Sequence, residues 1–138
     1  MDHLRTHNKL LVSLVAEDGD QLLGHIAFSR LTLGTQRSPC AGAGLGPMSV
    51  IPERQKKGVG SLLVRNGLDH CRLMGIQWVV VVGHPGYYPR FGFAAASSFG
   101  IRCAYEVPDD AFMALELSAG ALRGVTGTVH YEQEFDGV

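Results

Sequence analysis

The middle of the chain constrains the fold most, because it combines two apolar strands with a glycine-bearing turn and a long amphipathic helix. Leu45–Ile51 is a short apolar strand, and apolar residues then recur at helical spacing from Val59 to Met74. Gly75 stands where a left-handed cap ends such a helix, and Gln77–Val82 is an unbroken apolar run, typical of a strand buried on both faces. This strand–helix–strand unit predicts an α/β sheet.

Strand-like segments on both sides of the unit indicate that the sheet is mixed. Leu10–Glu17 and Gln21–Leu33 flank the turn Asp18-Gly19-Asp20 and together predict a hairpin. Gly34–Gly44 is rich in Gly, Ser and Pro, and we interpret it as a loop. Further strands are predicted after the helix, at Ile101–Tyr105, Phe112–Leu117 and Thr126–Glu132.

A proline interrupts the strand that precedes the turn. Pro47 lies inside Leu45–Ile51, and proline has no N–H group to donate to a neighbouring strand. We therefore expect a bulge near Pro47, or a separation of this strand from one of its neighbours.

The turn between strand and helix has the features of an anion site. The first turn of a helix leaves four N–H groups without internal partners and carries partial positive charge. Gly58 and Gly60 allow close approach to the backbone, and Lys56 and Lys57 add two positive charges. The pattern favours a pyrophosphate or another anion, and the alternative is a tight strand-to-helix connection without a ligand.

Two better-known phosphate motifs do not fit this turn. It lacks the Gly-Lys-Ser/Thr ending of a P-loop. It also lacks the third glycine of a dinucleotide-binding fingerprint, and no acidic residue follows the next strand at the required distance.

Composition and charge narrow the class of protein. The chain has 138 residues, of which 46% are hydrophobic and 18% charged, as expected of a single soluble domain over residues 1–138. A formal net charge of −1 gives no reason to expect nucleic acid or an anionic membrane as partner. No apolar run approaches the ~20 residues of a membrane span, and the three cysteines lack zinc-site spacing. We expect a cytoplasmic protein without a bound metal.

Two motifs, in this order, resemble the GNAT superfamily of N-acetyltransferases. Gln55-x-x-Gly58-x-Gly60, between a strand and an amphipathic helix, is similar to the coenzyme A-binding motif of that superfamily. Tyr88-Pro89-Arg90-Phe91-Gly92-Phe93 resembles the tyrosine-x-x-x-glycine-phenylalanine signature that follows the next strand. The segment Pro85–Phe93 is further similar to a bacterial branch of predicted N-acetyltransferases. The resemblance implies a mixed, mostly antiparallel sheet with splayed central strands and flanking helices.

The resemblance also implies a function, the transfer of an acetyl group from the cosubstrate acetyl-CoA to an amine by direct attack. It places the pantetheine arm along the backbone of Met48, Ser49 and Val50, where the central strands splay. It assigns the pyrophosphate to the turn formed by Gln55, Lys56, Lys57, Gly58, Val59, Gly60 and Ser61. Tyr88 is implied as the general acid that protonates the departing thiolate, and the alternative for Tyr88 is a packing role.

A general base is harder to assign. An amine with a pKa near 10.4 is mostly protonated at pH 7, so a base or a water chain has to remove its proton. Glu53, His25, His84 and His130 are candidates by residue type, and a surface or packing role is the alternative for each.

The front of the chain departs from the superfamily pattern. Only about ten residues precede Leu11, so we expect the first strand and helix of the family to be absent. Leu10–Glu17 would then be an exposed edge strand, which could pair with a second copy in a homodimer.

The alternative functions are a non-catalytic acyl-CoA-binding module and an unrelated anion-binding α/β domain.

Overall fold

The computed structural model describes residues 10–33, 42–52, 55 and 58–131. This part of the chain contains eight strands, one α-helix and three 3₁₀ turns. The strands are β1 (Leu10–Asp18), β2 (Gln21–Leu33), β3 (Gly42–Val50), β4 (Trp78–Val82), β5 (Ala94–Ala95), β6 (Ile101–Cys103), β7 (Phe112–Glu116) and β8 (Gly127–Tyr131). The helix α1 spans Val59–Leu73, and the 3₁₀ turns span Tyr88–Phe91, Ala96–Phe99 and Asp109–Ala111.

The strands form one mixed sheet in the order β5-β7-β4-β3-β2-β8-β6, and β1 pairs with β2. The β3–β4 and β6–β8 pairs are parallel, and the other pairs are antiparallel. The parallel β3–β4 pair follows from its connection, because α1 carries the chain back along the sheet between the two strands. The predicted mixed, mostly antiparallel sheet is confirmed, and α1 is the α-helix that the described residues contribute to its flanks.

Strand β4 lies at the centre of the sheet and is buried on both faces. Val79 and Val81 belong to the hydrophobic cluster under α1, whereas Trp78 and Val80 belong to the cluster on the opposite face. The unbroken apolar sequence predicted this arrangement, since both faces of such a strand meet hydrophobic neighbours.

Helix α1 packs closely on one face of the sheet through Leu63, Val64, Leu68 and Cys71. Gly67 faces the ring of Phe28 so closely that a Cβ atom at this position would overlap the ring. The helix begins and ends as predicted: Gly75 has a φ of 83°, the left-handed geometry of a helix C-terminus.

Strand β3 changes its neighbours along its length. Gly42–Leu45 pairs in parallel with Trp78–Val81, but beyond Leu45 the strand pairs with β2 alone. The register against β2 shifts at the same place, because Met48 lies opposite Ile26 while Leu45 lies opposite Phe28. One extra residue of β3 is therefore accommodated around Pro47, and both the bulge and the strand separation predicted there are confirmed.

The start of β3 and the end of the chain differ in part from the prediction. Gly42–Gly44 was predicted to be loop but belongs to β3, because its backbone pairs with β2 and β4 on both sides. The small residues there leave room for the Trp78 ring, so a composition typical of loops serves a packed strand. Residues 34–41 and 132 of the predicted elements lie outside the described residues. The two-residue strand β5 was not predicted.

Candidate cofactor site

A cavity of about 800 Å³ opens where β3 separates from β4 and α1 begins. It is bounded by the end of β3, the glycine turn, the first turn of α1 and the 3₁₀ turn Tyr88–Phe91 with the residue before it. The lining residues are Met48, Ser49, Val50, Gln55, Gly58, Gly60, Ser61, Tyr87 and Arg90. Seven of these nine were predicted cofactor contacts, so the structure brings most of the sequence-predicted site together.

The N-terminus of α1 offers unsatisfied donors to this cavity. The first intrahelical hydrogen bond runs from the Leu62 N–H to the Gly58 carbonyl, so the N–H groups of Val59, Gly60 and Ser61 have no acceptor in the helix. Among the described residues no side chain caps this end, and the first turn contains no acidic residue. Gly58 has a φ of 88°, a conformation that favours glycine. Within the described part of the chain, the turn therefore presents N–H groups and helix-dipole charge without a competing carboxylate.

The free edge of β3 forms the second wall. The Ile51 N–H donates to the Leu23 carbonyl at 2.8 Å, and backbone groups alternate sides along a strand. The N–H and C=O groups of Met48 and Val50 therefore point away from β2, toward the side from which β4 has diverged. Gln55 supports this direction, since its Nε2 donates to the Val50 carbonyl at 3.0 Å and so ties the turn to the strand.

Lys56 and Lys57 lie outside the described residues, so their predicted contribution of positive charge stays a prediction. Val59 lies in the first turn of α1 and packs partly against the cluster under the helix. Val59 is thus the one predicted cofactor residue among those the structure describes that is not part of the cavity lining.

Two residues of the third wall, Tyr87 and Arg90, were not predicted. The Tyr87 hydroxyl lies 3.1 Å from the Ser61 Oγ, and a Cβ atom on Gly60 would lie 3.2 Å from the same hydroxyl. Arg90 donates from Nε to the Tyr87 carbonyl at 2.8 Å, and its guanidinium carbon lies 4.5 Å from the centroid of the Tyr87 ring. Both residues stand inside the YYPRFGF segment, where the motif spacing singles out Tyr88 and no local pattern marks Tyr87 or Arg90.

Tyr88 has a different environment from Tyr87. Its side chain is 7% exposed and packs edge-on against Tyr87 and Phe93 in the cluster under α1. Tyr88 does not line the cavity. Among the described residues, Ser29 Oγ is the fully buried side-chain oxygen that lacks a hydrogen-bond partner, and the Tyr88 hydroxyl does not share this state. Burial raises the pKa of the Tyr88 phenol, and the neighbouring Tyr87 adds to the increase. The phenol therefore keeps its proton at neutral pH.

The candidate bases are dispersed. His25 lies directly opposite Ser49 across the β2–β3 ladder, and its Nε2 is 3.0 Å from the Ser13 Oγ. Because directly paired residues share a face of the sheet, His25 lies beside Ser49, which lines the cavity. His84 is exposed after β4, and His130 is exposed on β8. Glu53 lies outside the described residues.

The described ranges contain no cluster of three or more histidine, cysteine, aspartate or glutamate side chains able to hold a metal ion. They also contain no helix that is long and apolar enough to cross a membrane.

Comparison with known proteins identifies the family. The family model of the acetyltransferase (GNAT) domain matches residues 3–96, about two thirds of the chain. The chain belongs to the GNAT acetyltransferase family. The resemblance inferred from the two motifs is thereby confirmed.

Curated relatives of this GNAT protein are named as N-acetyltransferases. It is 45% identical over 101 residues to the uncharacterized N-acetyltransferase YjhQ of Escherichia coli, an alignment that covers 72% of this chain and 55% of YjhQ. It is 35% identical over 134 residues to the uncharacterized N-acetyltransferase YhbS of Escherichia coli, covering 96% of this chain and 79% of YhbS. The chain thus spans a little over half of one relative and about four fifths of the other.

Solved structures of GNAT proteins agree with the fold. The crystal structure of YhbS from Escherichia coli in complex with CoA superposes with a TM-score of 0.88 at 34% identity, over 98% of this chain and 74% of YhbS. A GNAT family acetyltransferase from Brucella melitensis, in complex with acetyl-CoA, gives a TM-score of 0.78 at 38% identity, over 98% of this chain and 75% of that one. The predicted fold class is confirmed.

Proposed function

We propose that the chain transfers an acetyl group from acetyl-CoA to the amine of an acceptor, with residues 1–138 acting as a single domain. The observation that supports this most is the cavity between the free edge of β3 and the uncapped N-terminus of α1. It offers an extended backbone edge to an amide-containing arm and N–H donors to an anion, and CoA contains both groups. Two relatives with the same fold were crystallised with CoA or acetyl-CoA.

In this proposal the cofactor lies across the two walls in a fixed direction. The pantetheine arm adds to the free edge of β3 along Met48, Ser49 and Val50, as an extended peptide adds to a sheet. The diphosphate lies against the N–H groups of Gly58–Ser61, with Gln55 holding the turn to the strand. Lys56 and Lys57 contribute positive charge to the same end.

The chemistry is direct attack on the thioester. The amine nitrogen forms a bond to the acetyl carbonyl carbon, and the carbon–sulfur bond breaks with its electron pair on sulfur. Tyr88 donates its phenolic proton to the thiolate, and the attacking nitrogen loses a proton to a base. A thiol near pKa 8.5 and a phenol near 10 differ by roughly 1.5 units, or about 2 kcal/mol against proton transfer. Burial raises the pKa of Tyr88, and removal of water from around the sulfur raises the pKa of the thiol in the same direction. The difference between the two pKa values therefore stays small.

For the base, the geometry favours His25 over His84 and His130. His25 shares a face of the sheet with Ser49, a cavity residue, and the Ser13 hydroxyl fixes the orientation of its ring. His84 and His130 are exposed and neither pairs with a cavity residue in the sheet, although the His84 carbonyl accepts from the N–H of Tyr87. The acceptor is a small molecule or a peptide that carries the amine.

Binding and transfer are tested separately on the purified chain. Calorimetry with CoA measures cofactor binding, and a thiol-release assay with acetyl-CoA and a broad panel of amines measures transfer. CoA binding together with amine-dependent thiol release supports the enzyme. Binding without release from any amine supports the alternative, a non-catalytic acyl-CoA-binding module. Absence of CoA binding in a folded protein would reject both.

A further inference from the structure

Arg90 is a cation held in a defined place on the cavity wall. Its Nε donates to the Tyr87 carbonyl at 2.8 Å, and its guanidinium stacks on the Tyr87 ring at 4.5 Å. Two independent contacts thus restrain a side chain that is otherwise exposed. Within the described chain no carboxylate pairs with Arg90, so its terminal nitrogens keep their donors for a ligand.

Tyr87 connects this cation to the first turn of α1. Its hydroxyl lies 3.1 Å from the Ser61 Oγ and directly above Gly60, where a Cβ atom would lie 3.2 Å from it. The ring of Tyr87 is fixed from its other sides by edge contacts with Tyr88 and Phe91, at 5.0 and 5.3 Å between centroids. Arg90, Tyr87 and Ser61 therefore form a rigid row that faces the same cavity as the free N–H groups.

We propose that Arg90 and Tyr87 form the side-chain half of the diphosphate site, opposite the backbone half at Gly58–Ser61. This inference rests on the proposed function, since it assigns two further residues to the same cofactor. Arg90 binds diphosphate oxygens through its terminal nitrogens, and Tyr87 donates to the Ser61 Oγ, which turns the Ser61 hydroxyl proton toward the phosphate. Arg90 contacts the ligand directly, and Tyr87 acts as a positioning residue through Ser61.

Charge geometry explains why a phosphate is the ligand of this row. The planar guanidinium matches two phosphate oxygens at once, and its contacts with Tyr87 fix its orientation before binding. A hydroxyl that accepts one hydrogen bond becomes a better donor in the next, so the Tyr87–Ser61 pair strengthens the bond to an anion. An uncharged pantetheine amide would gain little from a guanidinium.

The test compares two arginines that stack on the same aromatic segment. Arg65 on α1 lies over the Phe91 ring at 5.5 Å but is absent from the cavity lining, so Arg65→Gln is a matched control for Arg90→Gln. Calorimetry measures CoA and dephospho-CoA, which lacks the 3′-phosphate but keeps the diphosphate. Pantetheine, which lacks both, is measured by ligand-observed NMR. Thermal melts verify that each variant is folded.

We expect Arg90→Gln to weaken CoA and dephospho-CoA by the same factor, roughly 10- to 100-fold, and to leave pantetheine unchanged. Arg65→Gln should change each ligand less than about threefold, the usual size of a surface substitution. If the wild-type protein binds CoA and the two variants weaken that binding equally, the inference is overturned and the proposed function stands. A loss with CoA alone would move Arg90 to the 3′-phosphate and also overturn it. Wild-type protein that fails to bind CoA would reject the proposed function itself.

A double-mutant cycle tests the positioning role of Tyr87. Tyr87→Phe keeps the ring beneath Arg90 and removes only the hydroxyl, so we expect CoA to bind roughly 3- to 10-fold more weakly, with pantetheine affinity unchanged. In a Ser61→Ala background the same substitution should have no further effect, because its partner is gone. Additive losses in the cycle, or an equal loss with pantetheine, would overturn the assignment of Tyr87 to Ser61.

Discussion

The two halves of β3 differ in their strand pairing and in their exposure, although they belong to one strand. Gly42–Leu45 pairs on both sides, with β2 and with β4, and all of its residues are buried. Met48–Val50 pairs on one side only and lines the cavity with Ser49 exposed. The boundary between the halves is the bulge around Pro47.

The difference shows how a sheet can leave one segment of a strand unpaired while the adjacent segment, paired on both sides, stabilises that strand. An unpaired edge exposes N–H and C=O groups that cost free energy when buried and invite aggregation when exposed. Here the edge is short and enclosed by α1 and the Tyr87–Arg90 wall, and the paired half next to it anchors the strand through Ala43 and Leu45 in the hydrophobic cluster under α1. Substitutions should therefore separate cleanly into those that change chemistry or binding and those that change stability.

The largest effect is expected from the loss of the proposed proton donor, Tyr88, which lies in the 3₁₀ turn after β4. Tyr88→Phe should lower kcat by ~10²–10⁴-fold, the usual contribution of general acid catalysis, with acetyl-CoA affinity nearly unchanged. The ring and its edge contacts with Tyr87 and Phe93 persist, so the thermal melt should change little. Steady-state kinetics on any accepted amine measures the effect. Wild-type turnover in the folded variant would leave water as the donor to the thiolate.

Gly60→Asp should have the next largest effect, on binding. Its carboxylate would lie in the first turn of α1, where it repels the diphosphate and competes for the free N–H groups. We expect CoA affinity to fall by at least ~100-fold, since several charge-assisted hydrogen bonds are lost together. An acidic residue in the first turn favours the helix itself, so the variant should fold and melt normally. Calorimetry with unchanged CoA affinity would contradict the proposed diphosphate site.

The paired half should respond in the opposite way. A Cβ atom at Gly42 would lie 2.5 Å from the Trp78 ring, so Gly42→Ala should lower the free energy of unfolding by about 1–3 kcal/mol through overpacking. CoA affinity per folded molecule should stay the same, because Gly42 lies outside the cavity. Urea unfolding and calorimetry measure the two quantities. A large loss of affinity at unchanged stability would show that the two halves are coupled.

The smallest effect is expected at β1, which pairs with β2, the neighbour of β3. Ser13→Ala removes the hydroxyl that lies 3.0 Å from His25 Nε2, and we expect kcat to fall by about fivefold if His25 is the base, as for the loss of one hydrogen bond of ~1 kcal/mol. Ser97→Ala is a matched control, because its hydroxyl bonds Asp109 away from the cavity. Identical kcat in the two variants would argue against an oriented His25.

Much of the fold could be predicted because its strongest sequence signals are local. The helix, the hairpin and the buried β4 follow from periodicity and turn residues that lie within the segments themselves. Pro47 predicted both the bulge and the separation, since a missing N–H acts at its own position. The prediction for the start of β3 was wrong, because pairing with Trp78–Val80 is a long-range contact that outweighs a loop-like composition.

The candidate site was predicted in its backbone part and missed in its side-chain part. Gly58 and Gly60 indicate a binding turn because glycine spacing reports on local geometry. Tyr87 and Arg90 reach the turn only because the segment after β4 folds back over α1, which no local pattern reveals. Adjacent tyrosines look alike in sequence, and only the fold directs one toward Ser61 and the other into the core.

The close contact between Gly67 and Phe28 makes α1 comparable to a lever that rests on a pivot. Gly67 lies seven residues from Gly60, about 10 Å along the helix axis, so a small tilt at the contact is carried to the N-terminal turn. Any larger side chain at the pivot lifts the helix off the sheet and moves the N–H groups relative to the edge of β3. The position of the α1 N–H groups relative to the edge of β3 is thus adjustable from Gly67, a residue that lies outside the cavity lining.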